Sequence, residues 1–206
     1  GLVVALPREG RAQASPNDTL NVAIIGLRGD NKGRPTWTGR GRGQDHYEHL
    51  SRIRNVRISH VVDVDERHFG ASLSHVRKLY GGDPKTVTDF RRVLDDKEVD
   101  AVTIAAPDHW HALMTMLACQ AGKDVYVEKP TSVAIAEGRA MVQAARKYNR
   151  IVQVGTQQRS MAMNRVACEL VRSGRLGKVI EVRAINYSGP EASPAQTPAG
   201  MPVPAG

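Results

Sequence analysis

Aromatic residues are scarce in this chain: Phe, Trp and Tyr together make up 4% of 206 residues. A protein that holds single-stranded nucleic acid needs aromatic platforms for the bases. The basic surplus here, 29 Lys and Arg against 21 Asp and Glu for a net charge of +8, has no such platforms beside it. Nucleic acid is therefore not expected as a partner, and a smaller anion such as a nucleotide suits the charge. Cysteine is rarer still. Cys119 and Cys168 lie in helical patterns without metal-ligand spacing, so both read as small core residues and no metal site is expected. No apolar run is long enough to span a membrane, so no membrane contact is expected.

What remains is 41% hydrophobic and dominated by Ala, Val and Ile, which favours α/β layers over a β-sandwich. The length suits one domain with a full core and the start of a second. Residues 1–18 precede the first patterned segment. Gly1-Leu2-Val3-Val4-Ala5-Leu6 followed by Ala12-Gln13-Ala14 has the form of a signal-peptide tail with a small-x-small cleavage site, which implies a periplasmic or exported protein. A disordered arm on a cytoplasmic protein explains the same residues equally well. From Gly189 to Gly206 the chain is rich in Pro, Ala and Gly and reads as a loop in mid-protein.

Between these ends, strand-like and helix-like runs alternate. Leu20–Gly26, Val56–Asp63, Ala101–Ala106, Asp124–Val127 and Ile151–Gly155 are short, apolar and β-branched, as parallel strands buried on both faces should be. Val179–Tyr187 alternates apolar with polar residues and reads as a sixth strand of different character. Helical periodicity covers 65–80, 109–121 and 133–148, the last with Thr131 or Ser132 as its cap, and shorter helices are expected from Gln44 and over 90–94. Alternation of this kind implies right-handed crossovers and a doubly wound parallel sheet, a Rossmann domain over 19–156, with 157–188 opening a second α/β domain.

A dinucleotide fold needs a glycine turn after its first strand. Gly26 stands there, Gly29 follows, and then the G-x-G-x-x-G pattern breaks. One reading is an insertion, the basic loop Arg28–Arg42, after which Gly41 and Gly43 supply helix N-terminal amides to a pyrophosphate. A flexible Gly/Arg surface loop is the plainer reading, and an RNA-binding one the remotest. Asp63 closes the second strand, where a carboxylate accepts the ribose hydroxyls and repels a 2′-phosphate, favouring NAD over NADP. A turn or capping role would also place an Asp there; Asp65 reads as the cap of the next helix.

Two motifs sit at the carboxyl ends of later strands. In Pro107-Asp108-His109-Trp110-His111 the imidazoles are two residues apart and diverge on a helix, which argues against their sharing a metal. The turn reads either as a cofactor contact or as a capped helix with surface His residues. In Glu128-Lys129-Pro130 a Lys follows a buried strand and precedes a rigid Pro whose peptide bond is a candidate for cis. Its amine is placed to take a proton from an alcohol beside an oxidised nicotinamide, with Glu128 orienting the loop. A surface Glu–Lys pair is the alternative. After the fifth strand, Gln157 and Arg159 are candidates for substrate hydroxyls or a carboxylate, or simply linker residues.

The order Gly26, Val62-Asp63-Val64-Asp65, Ala106-Pro107-Asp108-His109-Trp110-His111, Glu128-Lys129-Pro130 and Gly155-Thr156-Gln157-Gln158-Arg159 resembles the Gfo/Idh/MocA oxidoreductases over residues 18–188. The Glu-Lys-Pro motif together with the Pro-Asp-His-Trp-His turn carries the specificity. The resemblance implies an N-terminal Rossmann domain and a C-terminal α/β domain, Lys129 as the catalytic-site lysine, and Asp63, Pro107, His111 and Glu128 along a nicotinamide nucleotide. It implies NAD as cofactor, hydride exchange with a sugar, polyol or sugar derivative, and a homo-oligomer at full length. The family's further Asp and His, from its second domain, have no counterpart in these residues, so this stretch alone is expected to bind NAD without turnover. Two rivals stand: an NAD-dependent glycosidase of the same family, and a non-catalytic nucleotide-binding protein.

Overall fold

The computed structural model describes residues 19–27 and 41–184. Leu20–Ile25 (β1), Arg42–Leu50 (α1), Val56–Val62 (β2), Phe69–Tyr80 (α2), Lys85–Val87 (β3), Arg91–Asp95 (α3), Ala101–Ile104 (β4), Asp108–Gln120 (α4), Asp124–Glu128 (β5), Ile135–Lys147 (α5), Val152–Gly155 (β6) and Ala162–Arg172 (α6) follow one another, with short 3-10 turns at Glu66–His68 and Gln157–Ser160. The six strands form one sheet in the order β3-β2-β1-β4-β5-β6, every pairing parallel. That is the doubly wound Rossmann order. The direction of winding reverses between β1 and β4, and such a reversal opens a crevice at the carboxyl edge of the sheet.

Side-chain alternation sorts the strands onto two cores. From β1, Val22 and Ile24 join Tyr47 and Leu50 of α1 and Val76 of α2. Ala23 and Ile25 face the other way, with Val102 and Ile104 of β4, Val125 and Val127 of β5, and Ala112, Met114 and Ala118 of α4. Both faces of the central strands are thus covered, which is why they read as unbroken apolar runs. The residues between these positions in β4, β5 and β6, namely Thr103, Tyr126, Glu128 and Gln153, lie on the α1 side.

The expected parallel strands form within a residue or two of their sequence bounds, and β3 is an addition. Lys-Thr-Val is too short to show a period; its pairing with His60–Val62 makes it a strand. Helix α1 starts at Arg42 rather than near Gln44. At α5 neither Thr131 nor Ser132 is the cap. The Glu137 carboxylate reaches back to accept from the Val133 and Ala134 amides at 3.0 and 3.1 Å, and Ser132 donates to the Ala134 carbonyl instead. The Lys129–Pro130 bond is cis.

The chain divides into two compact units, 1–161 and 162–206. The sheet belongs to the first. In the second, the expected strand Val179–Tyr187 does not form over its described part: residues 179–184 pair with no described strand and are exposed, Ile180 at 90%. Its alternation faces no partner strand among the described residues. Residues 185–187 lie outside the described set. Cys119 is buried as expected, but Cys168 is exposed on α6, where no residue is buried.

Candidate active site

The carboxyl edge begins at Gly26, whose φ of +90° suits glycine and whose hypothetical Cβ would stand 2.6 Å from the Ala105 carbonyl carbon and oxygen. The turn is pinned by its amide on the Val62 carbonyl at 2.9 Å. Gly43 packs directly on it: a Cβ there would come 2.0 Å from the Gly26 oxygen. Only a glycine lets the first turn of α1 approach so closely. Gly41 is the N-cap in extended conformation, with no side chain capping the helix, so backbone N–H groups open the helix toward the turn. Gly29 lies outside the described residues.

Asp63 follows β2 directly. One oxygen accepts from the Leu27 amide at 2.7 Å and the other from the Asp65 amide at 2.9 Å. His68 Nδ1 approaches at 3.2 Å. An ionised carboxylate offers about four acceptor positions, so this one ties the glycine turn to β2 and keeps capacity for two hydroxyls. Asp65 caps the following 3-10 turn through the Arg67 amide and pairs with the Arg67 guanidinium, which holds its carboxyl down at about 2.

Beyond β4, Pro107 is the N-cap of α4. The two imidazoles diverge: His109 is exposed, whereas His111 is 1% exposed. The His111 ring lies between the Pro130 oxygen at 2.6 Å and the Ala106 oxygen at 2.8 Å, bridging the exit of β4 to the Lys129–Pro130 loop. Its role in this fold is to hold that loop, from a buried position. No group of three or more metal-ligating side chains occurs among the described residues.

Lys129 is exposed at the end of β5, next to a buried neighbour. Glu128 is 3% exposed and accepts from Gln157 Nε2 at 2.7 Å, from His46 Nε2 at 3.1 Å and from the Lys129 amide at 3.3 Å. Burial pushes its carboxyl up, but the hydrogen bonds from His46 and Gln157, with the nearby Arg42 charge, outweigh it and leave the group below the ordinary glutamate range. The amide nitrogen of Gln157, a candidate for substrate, is thus committed to Glu128. Gln157 and Arg159 both line a cavity of about 520 Å³ walled by His46, Leu50, Tyr126 and Val154, to which Lys129 does not contribute.

Sequence reasoning missed His46, Thr103 and Tyr126. The signal was present as polar positions at every second residue, Thr103 in β4, Tyr126 and Glu128 in β5 and Gln153 in β6, which place a polar row on one face of an otherwise apolar sheet.

Asp63 and Lys129 therefore stand at the same rim of one parallel sheet, at the ends of β2 and β5, with β1 and β4 between them. Three strand spacings separate them by about 14 Å across the reversal. Residues 20–156 match the model of an oxidoreductase family described by its NAD-binding Rossmann fold. The chain belongs to this family. An inositol 2-dehydrogenase of Salmonella typhimurium is 27% identical over 158 residues, covering 76% of this chain and 46% of the relative. The structure of a myo-inositol 2-dehydrogenase from Lactobacillus plantarum superposes with a TM-score of 0.62 at 30% identity, over 79% of this chain and 43% of that one. A scyllo-inositol dehydrogenase from Lactobacillus casei, solved with NAD(H) and scyllo-inositol, gives 0.61 at 25% identity, over 77% and 42%. The chain spans less than half the length of these relatives. NAD is the cofactor of the family. No described helix is long and apolar enough to cross a membrane.

Proposed function

We propose that this chain is the cofactor-binding part of an NAD-dependent dehydrogenase that oxidises a secondary alcohol of a sugar, polyol or sugar derivative. The observation that carries the reading is the pairing of Asp63 and Lys129 across the switch point, with a glycine-lined, uncapped helix end between them. The fit to a dinucleotide rests on two cradles that a Cβ would fill, at Gly26 and Gly43, and on the unused acceptor positions of Asp63.

In this reading the α1 amides around Gly41 and Gly43 hold the pyrophosphate, aided by the helix dipole. Asp63 accepts the adenosine ribose hydroxyls and opposes a 2′-phosphate, which favours NAD over NADP. Bound NAD supplies the hydride acceptor. Pro107 and His111 shape the wall beside the nicotinamide end, and Glu128, anchored below, fixes the backbone of Lys129. The Lys129 amine then takes the hydroxyl proton of the alcohol. Arg159, exposed in the turn after β6, is the remaining candidate for substrate. The complete protein is expected to be a homo-oligomer. The signal-like residues 1–14, which lie outside the described set, leave export as an expectation that N-terminal sequencing of the mature protein decides.

The test is NADH formation by the complete protein with NAD and a panel of inositols and sugars. NADH accumulating with at least one polyol supports the reading. Release of an aglycone from glycosides without net NADH would replace it with a glycosidase, and NAD binding without any turnover would replace it with a sensor.

A further inference from the structure

His46 lies one turn into α1, buried at 6% exposure, and reaches across to the end of β5. Its Nε2 faces Glu128 Oε1 at 3.1 Å, and its Nδ1 faces Thr103 Oγ1 at 3.0 Å. A carboxylate only accepts, so Nε2–H donates to Glu128, while Nδ1 is hydrogen-bonded with the Thr103 hydroxyl. The Tyr126 ring closes edge-on against the imidazole, with centroids 5.2 Å apart. Every hydrogen-bonding position of the ring is thus used, and its orientation is fixed from two strands.

A second side-chain donor to Glu128 is Gln157, from the turn after β6. His46 differs in where it comes from. It rises from the helix whose first turn packs on Gly26, about 6 Å along the axis from that end. A buried carboxylate deprived of a donor either rotates toward another or takes up a proton. The Glu128 backbone leads directly into Lys129, and Glu128 Oε2 also accepts the Lys129 amide. A change at His46 therefore reaches the amine through a short covalent and hydrogen-bonded path.

We propose that His46 is a positioning residue that ties Lys129 to the pyrophosphate-binding helix, so that one rigid connection sets the distance between cofactor and amine. The proposal rests on the assignment of Lys129 as the proton acceptor. Its readout is the separation of kcat from cofactor affinity, since the His46 side chain bonds Glu128 and Thr103 and lies past the first turn of α1 assigned to the pyrophosphate.

The experiment compares His46→Gln with His46→Asn in the complete protein. The Gln amide reaches Glu128 from the Nε2 position; the Asn amide is too short and keeps the Thr103 side alone. His46→Asn should lower kcat roughly 10- to 100-fold, the penalty of a displacement near 1 Å, with the NAD dissociation constant within about threefold of wild type. His46→Gln should restore kcat to within about threefold of wild type. Hydrogen exchange at the Lys129 amide supplies a readout without turnover: faster in His46→Asn, as in wild type for His46→Gln. Equal kcat and equal exchange in the two variants would overturn the proposal, as would parallel losses of kcat and NAD affinity in both. Should His46→Asn not fold, a tenfold or greater loss of kcat in His46→Gln overturns it and near-normal kcat sustains it. If wild type itself forms no NADH, the dehydrogenase reading fails, and the exchange comparison still decides whether His46 holds Lys129.

Discussion

Gly43→Ala is a one-carbon change with a large expected effect. The new Cβ would stand 2.0 Å from the Gly26 oxygen, 3.1 Å from its carbonyl carbon and 3.3 Å from the Leu27 Cα. Ordinary contact begins at 3.4 Å, so α1 must retreat from the turn by about 1.4 Å. The neighbouring atoms are backbone, and the Gly26 turn is itself hemmed in, since even a Cβ on Gly26 would stand 2.6 Å from the Ala105 carbonyl. Overpacking of this kind costs about 1–3 kcal/mol. The retreat carries the α1 amides away from the site assigned to the pyrophosphate, and loss of two such hydrogen bonds to a charged group weakens binding by about 3–6 kcal/mol. Calorimetric titration with NAD should show a loss of at least a hundredfold, accompanied by a lower unfolding midpoint. Gly70→Ala is the control: nothing lies within 4 Å of that position in α2, and replacing a helical glycine should stabilise by about 0.5–1 kcal/mol with NAD affinity unchanged. Wild-type NAD affinity in Gly43→Ala would refute the placement of the cofactor against this helix end.

Two further predictions concern carboxylates. Asp63→Asn is not conservative, because both oxygens of Asp63 accept backbone N–H groups and an amide nitrogen must face one of them. It should lose about 1–3 kcal/mol in urea unfolding and narrow the preference for NAD over NADP in parallel titrations; an unchanged cofactor preference would contradict the ribose assignment. Glu128 is depressed in the folded state, with burial opposing and the His46 and Gln157 hydrogen bonds prevailing. Its contribution to stability is complete above the unfolded value of about 4.3 and is lost as pH falls through the lower folded value. Unfolding midpoints measured from neutral to acid pH should therefore fall more steeply below about pH 4.3 in wild type than in Glu128→Gln; equal slopes would show that the carboxylate is not held ionised.

The parts of this molecule that sequence reveals are those where burial on both faces leaves a continuous apolar run. β1, β2, β4, β5 and β6 announce themselves that way, and their alternation with helices dictates the doubly wound order. β3 escapes because three residues carry no period, and its identity comes from β2 alongside it. At the site, Asp63 and Lys129 are legible because each ends such a run. Gly43 is harder to see: the long segment after Gly26 breaks the glycine spacing, and contact between Gly43 and Gly26 is a tertiary fact. The His46–Glu128–Gln157 connection joins α1, β5 and the turn after β6; Glu128 and Gln157 are legible as strand-end candidates, but His46 stands out only when the strand ends are brought together. Val179–Ile180 and Val182 show the converse, an alternating pattern without a partner layer among the described residues.

The most direct measurement is Lys129→Ala in the complete protein, with NAD affinity by calorimetry and NADH formation on an accepted polyol followed side by side. Because Lys129 is exposed and its side chain supports no described hydrogen bond, the fold should survive. NAD affinity within about threefold of wild type with turnover reduced by 10²-fold or more, the scale of a lost general base, is the predicted result. Turnover near the wild-type rate with NAD still bound would contradict the account.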